Sequence, residues 1–155
     1  MHIQRFDIND TIKNTAATFE GICTSRQIRL ELLLSGHELY VRADMEQIQQ
    51  VLYNLLDNAI KFSNDNSSVQ IETTVKSGKV FVSVKDYGTG IPKESLGKIW
   101  DRFYKLMHPA EKTVKGTGLG LSIVKEIINA HNQNIDVIST EGVGTEFIFT
   151  LEKTK

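Results

Sequence analysis

The chain has 155 residues, 40% of them apolar, which suffices for one domain with its own core and excludes a disordered regulator. Its 18 basic and 19 acidic residues leave a net charge of -1, so no global positive field exists to gather nucleic acid or anionic lipid. A single cysteine, Cys23, excludes an internal disulfide and reads as a half-buried structural thiol. The apolar runs are too short for a membrane span, and the opening Met1-His2-Ile3-Gln4-Arg5 lacks the pattern of a signal peptide.

In chain order, Asp7 is placed to cap a helix over 8–25, with Ile8, Ile12, Phe19 and Ile22 on its buried face. Strands are predicted over 28–34 and 39–42, with Gly36 in the turn between them. From Asp44, a strong helix is marked by Ile48, Val51, Leu52, Leu55, Leu56, Ala59 and Phe62, and the polar turn Asn64-Asp65-Asn66 ends it. Alternating runs over 69–75 and 80–84 flank Ser77-Gly78, a hairpin signal, and predict an antiparallel pair. A glycine-containing segment over 86–92 precedes a short predicted helix over 93–99. The aperiodic, charged stretch 105–115 reads as a mobile loop. A helix over 119–131 puts Leu121, Val124, Ile127 and Ile128 on one face. A closing strand pair covers 135–139 and 145–151, joined through Glu141-Gly142-Val143-Gly144. Helices interleaved with antiparallel pairs predict an α/β (α+β) two-layer sandwich, a mixed, mainly antiparallel sheet covered on one face by three helices.

Four segments carry chemistry. In the helix, Asn54, Asn58 and Lys61 stand at i, i+4 and i+7 and interrupt an apolar stripe. A neutral amide oxygen suits Mg²⁺, which keeps waters and shares its shell with phosphates, and a lysine one turn on can reach a phosphate. Asp86-Tyr87-Gly88-Thr89-Gly90-Ile91-Pro92 follows a strand; its glycines permit a sharp turn and close approach of a ligand, Asp86 can accept from an exocyclic amine, and Ile91 can wall a flat ring. The aromatic run Trp100-Asp101-Arg102-Phe103-Tyr104-Lys105 can anchor the loop that follows. Gly116-Thr117-Gly118-Leu119-Gly120-Leu121-Ser122 exposes backbone N–H groups at a helix start, a setting that favours an anion. Each segment taken singly also has a plain reading: a solvated polar face, an ordinary loop, core packing, an anion site of unassigned type.

In this order and with these gaps, the segments resemble the catalytic, ATP-binding domain of sensor histidine kinases, of the superfamily shared with gyrase, Hsp90 and MutL and known as the Bergerat fold. The resemblance runs from about Asp7 to Leu151, the four segments matching in turn the family's N, G1, F and G2 boxes and Gly144-Thr145-Glu146-Phe147 its closing strand. It implies that residues 1–155 are one catalytic and ATP-binding domain with a flexible lid near 105–117, and that ATP and Mg²⁺ are its cofactors. Asn58 would hold the Mg²⁺, Asn54 support the same region and Lys61 contact phosphate. Phe62 would lie near the nucleoside. Asp86 would receive the adenine amino group with Thr145 nearby, and Gly88 and Gly90 would let adenine lie close to the backbone beside Ile91. Gly116, Thr117, Gly118, Leu119, Gly120 and Leu121 would form the lid hinge and offer amides to phosphate, and Phe103 would pack near the lid. Lys105 would approach the γ-phosphate; Lys112 and Lys115 are further lid cations. The family commonly has Gly-Gly after the helix that ends here at His131, where this chain has Asn132-Gln133.

The implied activity is transfer of the γ-phosphoryl group to an acceptor histidine on a dimerisation domain, and then onward to a response regulator, with no nucleic-acid partner. None of His2, His37, His108 and His131 stands in the His-Glu-x-x-x-Pro setting of that acceptor. The chain is therefore expected to be a fragment of a longer, membrane-attached, homodimeric sensor kinase, its own segment cytoplasmic and monomeric. Hydrolysing and serine-phosphorylating relatives place a Glu four residues before the metal-binding Asn. Here that position is Asn54, an amide that cannot take a proton. This favours histidine as acceptor, implies slow ATP hydrolysis, and counts against the alternative of a stand-alone serine kinase of the anti-sigma-factor type. A third reading, a docking module without activity, conflicts with the intact Asn58, Asp86 and glycines.

Overall fold

The computed structural model describes residues 1–101 and 120–155. Its first element was not expected: strand β1 (Gln4–Asp7), four residues with only Phe6 buried. At its end the Asp7 carboxylate accepts from Asn9 N at 3.0 Å, capping helix α1 (Ile8–Thr18), and from Leu39 N at 3.1 Å. The single helix predicted over 8–25 breaks at Phe19, whose backbone leaves helical geometry (φ -98, ψ 1). A short helix α2 (Glu20–Ser25) follows in a new phase. The break overturns one expectation: Ile22 points outward, 50% exposed, and Cys23 takes the inward place. The thiol is 3% exposed, fully rather than half buried, and burial pushes its pKa up.

Strands β2 (Arg29–Leu33) and β3 (Tyr40–Ala43) precede the main helix α3 (Met45–Phe62). Asp44 caps it by accepting from Gln47 N at 3.2 Å. Ile48, Val51, Leu52, Leu55 and Leu56 of α3 are wholly buried, as their spacing requires. Arg26 closes the other end, donating to the carbonyls of Ile60 at 2.6 Å and Ser63 at 2.5 Å and pairing with Asp65 at 2.7 Å. Ile60 O also accepts from the cap N–H of Ser63 at 3.3 Å, and the guanidinium meets the negative end of the helix dipole.

Strands β4 (Ser68–Lys76) and β5 (Lys79–Asp86) form the expected hairpin. Ser77 and Gly78 both take positive φ, 52° and 77°, the backbone of a two-residue turn that follows the strand twist. The helix predicted over 93–99 contracts to one 3₁₀ turn, Lys93–Ser95. Helix α4 (Gly120–Ala130) and strands β6 (Ile135–Thr140) and β7 (Gly144–Lys153) complete the described residues.

The seven strands form one sheet in the order β1-β3-β7-β5-β4-β2, with β6 beside the first part of β7. Only β2 and β4 run parallel, so the sheet is mixed and mainly antiparallel, with the helices on one face, as predicted. The core lies between α3 and α4 and strands β4, β5 and β7, where Ile71, Val82, Val84, Phe147 and Phe149 are buried. Among the described residues no helix is long and apolar enough to cross a membrane.

Candidate nucleotide site

The end of β5 delivers Asp86 to the floor of the site. The β5–β7 register sets it directly against Thr145, far away in sequence. Asp86 is 4% exposed, and its carboxylate accepts from Gly88 N at 2.9 Å and from the backbone N–H of Thr145. No ion pair engages it among the described residues. Burial therefore dominates and pushes its pKa to about 6, against the two N–H donors that lower it. A buried acceptor of this kind gains from any ligand that brings an N–H donor.

The turn after β5 is locked against two other elements, and its glycines are required by space. A Cβ on Gly88 would stand 2.0 Å from the Phe62 carbonyl oxygen at the end of α3. One on Gly90, where φ is 71°, would stand 2.2 Å from the Thr140 carbonyl oxygen. Thr89 N donates to Phe62 O at 3.2 Å, and Gly142 N donates to Thr89 O at 2.7 Å. These contacts join the N-box helix, the G1 turn and the β6–β7 turn into one wall. Ile91 is 4% exposed and belongs to the core, its backbone N–H donating to Ser139 Oγ at 2.7 Å.

The N-box residues line the neighbouring edge of α3, all three half-buried. Asn54 Nδ2 donates to Gly120 O at 3.2 Å, tying α3 to the first residue of α4, and Gln50 Nε2 donates to Asn54 Oδ1 at 3.0 Å. One turn on, the Asn58 amide has no hydrogen bond among the described residues. Lys61 Nζ lies 5.6 Å from the centre of the Phe62 ring, and Phe62 itself is 8% exposed. Leu121, partly buried, packs against the core beside α3. Trp100 meets Phe147 edge to face at 5.7 Å and carries Lys125 Nζ 5.4 Å above its ring, so this first residue of the F box packs. Phe103, Lys105, Lys112, Lys115, Gly116, Thr117, Gly118 and Leu119 lie outside the described residues, as does the expected lid.

Of the sequence-derived residues, Asn54, Asn58, Lys61, Phe62, Asp86, Gly88, Gly90, Ile91, Gly120, Leu121 and Thr145 thus belong to adjoining elements. Sequence reasoning missed Ser139, whose hydroxyl touches Ile91, Gly144 and Thr145. The alternation Ile135, Val137, Ser139 places it on the inward side of β6, a signal that was available.

Residues 43–155 match the family model described as histidine kinase-, DNA gyrase B-, and HSP90-like ATPase, and the chain belongs to that family. It is 42% identical over 120 residues to the sensor histidine kinase WalK of Bacillus subtilis, an alignment covering 76% of this chain and 20% of WalK. It is similar over its length to the catalytic domain of the histidine kinase ThkA, with a TM-score of 0.87, 34% identity, and coverage of 99% of this chain and 97% of that one. A structure of ThkA in complex with the response regulator protein TrrA is also similar, with a TM-score of 0.80 at 32% identity, covering 98% of this chain and 42% of that one. The chain therefore spans only about a fifth of the length of a curated relative such as WalK.

Proposed function

We propose that this chain is the catalytic and ATP-binding domain of a sensor histidine kinase, which donates the γ-phosphoryl group of ATP to a histidine on the dimerisation domain of the same full-length protein. The observation that carries this reading is Asp86. It is a buried carboxylate, without an ionic partner among the described residues, at the bottom of a wall built from the N-box, G1 and closing-strand segments. The adenine amino group would donate to it, with the ring against Ile91 and the closely approaching backbone of Gly88 and Gly90. The family membership and the full-length likeness to a histidine kinase catalytic domain support the same assignment.

The triphosphate would then run along the polar edge of α3. The donor there fits Mg²⁺: the Asn58 amide, without a hydrogen bond among the described residues, would offer a neutral oxygen and leave the ion's other positions to phosphate and water. Bound at Asn58, the ion would neutralise triphosphate charge. Asn54 would hold the first turn of α4 at the phosphates through its bond to Gly120 O, and Lys61 would contact phosphate. Lys105, Phe103 and the glycines from Gly116 to Gly118, with Thr117 and Leu119, would complete the site from the lid. In the transfer, a neutral imidazole nitrogen of the acceptor attacks the γ-phosphorus, the bond to the bridging oxygen breaks, and ADP leaves. The nucleophile needs no base to activate it, so catalysis rests on position and charge. Asn54, which cannot accept a proton as a carboxylate would, leaves water without a base at this position and disfavours hydrolysis.

Of the histidines, His2 and His37 are exposed, His131 is engaged by Asp44 N at 3.1 Å and Ile127 O at 2.8 Å, and His108 lies outside the described residues. The acceptor would lie on a further segment of a longer, membrane-attached homodimer, and a response regulator would take the phosphoryl group from it, as the ThkA–TrrA complex supports. The test combines this chain, Mg-ATP and a separately produced acceptor hairpin of a related kinase. Acid-labile phosphate should form on the hairpin and depend on its histidine. Saturable ATP binding without any transfer, to hairpins of several relatives, would overturn the kinase reading.

A further inference from the structure

Ser139 belongs to none of the four motif segments, yet its hydroxyl is the meeting point of three parts of the candidate base pocket. Ile91 N donates to Oγ at 2.7 Å. Oγ lies 3.1 Å from the Gly144 carbonyl oxygen, to which it donates, and 2.8 Å from Thr145 Oγ1. A serine hydroxyl has one proton and two lone pairs. The Gly144 carbonyl can only accept and the Ile91 amide can only donate. One arrangement satisfies all three contacts: Ser139 gives its proton to Gly144, and Thr145 gives its own proton to Ser139. The Thr145 hydroxyl then has no proton left for the pocket and presents lone pairs alone. In register beside it stands the Asp86 carboxylate, also an acceptor.

We propose that Ser139 is a positioning residue for base selection. By taking the Thr145 proton it turns the pocket floor into acceptors only, which favours a purine with an amino group at the 6 position over one with an oxo group. The inference rests on the nucleotide-binding reading above and adds to it a residue outside the motifs. Losing Ser139 frees the Thr145 hydroxyl to rotate and donate, so a 6-oxo purine gains a partner that the intact floor denies it. Gly144 lets Thr145 come up beside Asp86, since a Cβ there, at φ 153°, would stand 2.2 Å from the Asp86 carbonyl oxygen. The start of β7 is thereby held against the end of β5, while the β6–β7 register sets Ser139 opposite Thr145.

The experiment measures ATP and inosine triphosphate affinities by calorimetry, with Mg²⁺, for the intact chain and for Ser139→Ala, Ser139→Thr, Thr145→Val and Ser139→Ala/Thr145→Val. In the intact chain ATP should bind the more tightly. Ser139→Ala should reduce the ATP-to-inosine-triphosphate preference roughly fivefold to tenfold, the effect of one hydrogen bond changing sides. Ser139→Thr should restore it. In the Thr145→Val background the Ser139→Ala change should leave the preference where it stands. Equal weakening of both nucleotides by Ser139→Ala, or the same change of preference with and without the Thr145 hydroxyl, would overturn the inference. An intact chain that binds neither nucleotide would instead overturn the nucleotide-binding reading on which it rests.

Discussion

Replacing Asp86 by asparagine separates two consequences of one buried carboxylate. Burial moves its pKa from 3.8 to about 6, although Gly88 and Thr145 both donate to it. The folded chain therefore holds this proton more tightly than the unfolded chain. Stability from the residue is complete below the unfolded pKa and is lost as pH rises through about 6. A tenfold change in proton affinity corresponds to about 1.4 kcal/mol, so ionised Asp86 costs the ligand-free domain about 3 kcal/mol at neutral pH. Asparagine keeps an oxygen that can accept from Gly88 N but buries an NH₂ donor where the carboxylate had its second acceptor oxygen, a loss of about 1–2 kcal/mol. The net expectation is a variant more stable than the parent by about 1–2 kcal/mol at pH 8, or a Tm higher by about 2–6 °C. That advantage should shrink towards pH 4, where the folded parent is protonated and little of the ionisation cost remains. Nucleotide affinity should fall at least about tenfold, because an amide accepts the adenine N–H more weakly than a carboxylate. Parent affinity should itself decline as pH falls below about 6. Thermal unfolding of both proteins at several pH values, with calorimetric ATP titrations well above the Asp86 pKa of about 6, checks each part. A variant that melts below the parent at pH 8, or whose difference from it is the same at pH 4, would refute the burial argument. ATP binding as tight as the parent's would refute the adenine assignment.

Three further substitutions probe the frame around the site. Gly88→Ala sets a Cβ 2.0 Å from the Phe62 carbonyl oxygen, backbone against backbone, so the G1 turn must part from α3. A loss of about 2–3 kcal/mol is expected, seen as a lower denaturation midpoint, with weakened ATP binding. Arg26→Ala leaves Ser63 O without its donor and Ile60 O with the 3.3 Å bond from Ser63 N in place of the shorter guanidinium bond, and should lower stability by about 1.5–3 kcal/mol in urea unfolding; an unchanged midpoint would mean that water serves those carbonyls equally well. Asn132→Gly relieves a left-handed backbone, φ 56°, in the turn after α4, and should raise the Tm by about 1–3 °C. A lower Tm there would show that the Asn132 side chain, or the extra freedom of unfolded glycine, outweighs the relief.

Local pattern made α3 legible. Its cap, its apolar period and its polar interruptions all lie within one stretch, and the helix runs Met45–Phe62 as its spacing demands. The β4–β5 hairpin was equally clear, because Ser77-Gly78 sets the turn and the alternation on either side sets the register. Strand β1 was not legible. It has four residues with one buried, and it exists only because Phe6 and its neighbours pair with β3, more than thirty positions away. The break at Phe19 was hidden for a related reason. A continuous helical period fits residues 8–25, but packing of Cys23 and Phe19 into the core imposes a second phase.

For the site, the sequence by itself determined which chemical groups exist and in what order: the amides of the N box, the Asp-Tyr-Gly-Thr-Gly turn and the glycines before α4. Those features are local, and spacing along a helix or turn is enough to relate them. Only the tertiary structure decided that Asp86 would be buried beside Thr145, that Gly88 would press on the end of α3, and that Ser139 would hold three segments with one hydroxyl. Each depends on the register in which β5, β6 and β7 close against one another. Burial, and with it the raised proton affinity of Asp86, arises only after distant strands have excluded water from between them, and no local period in the chain encodes that.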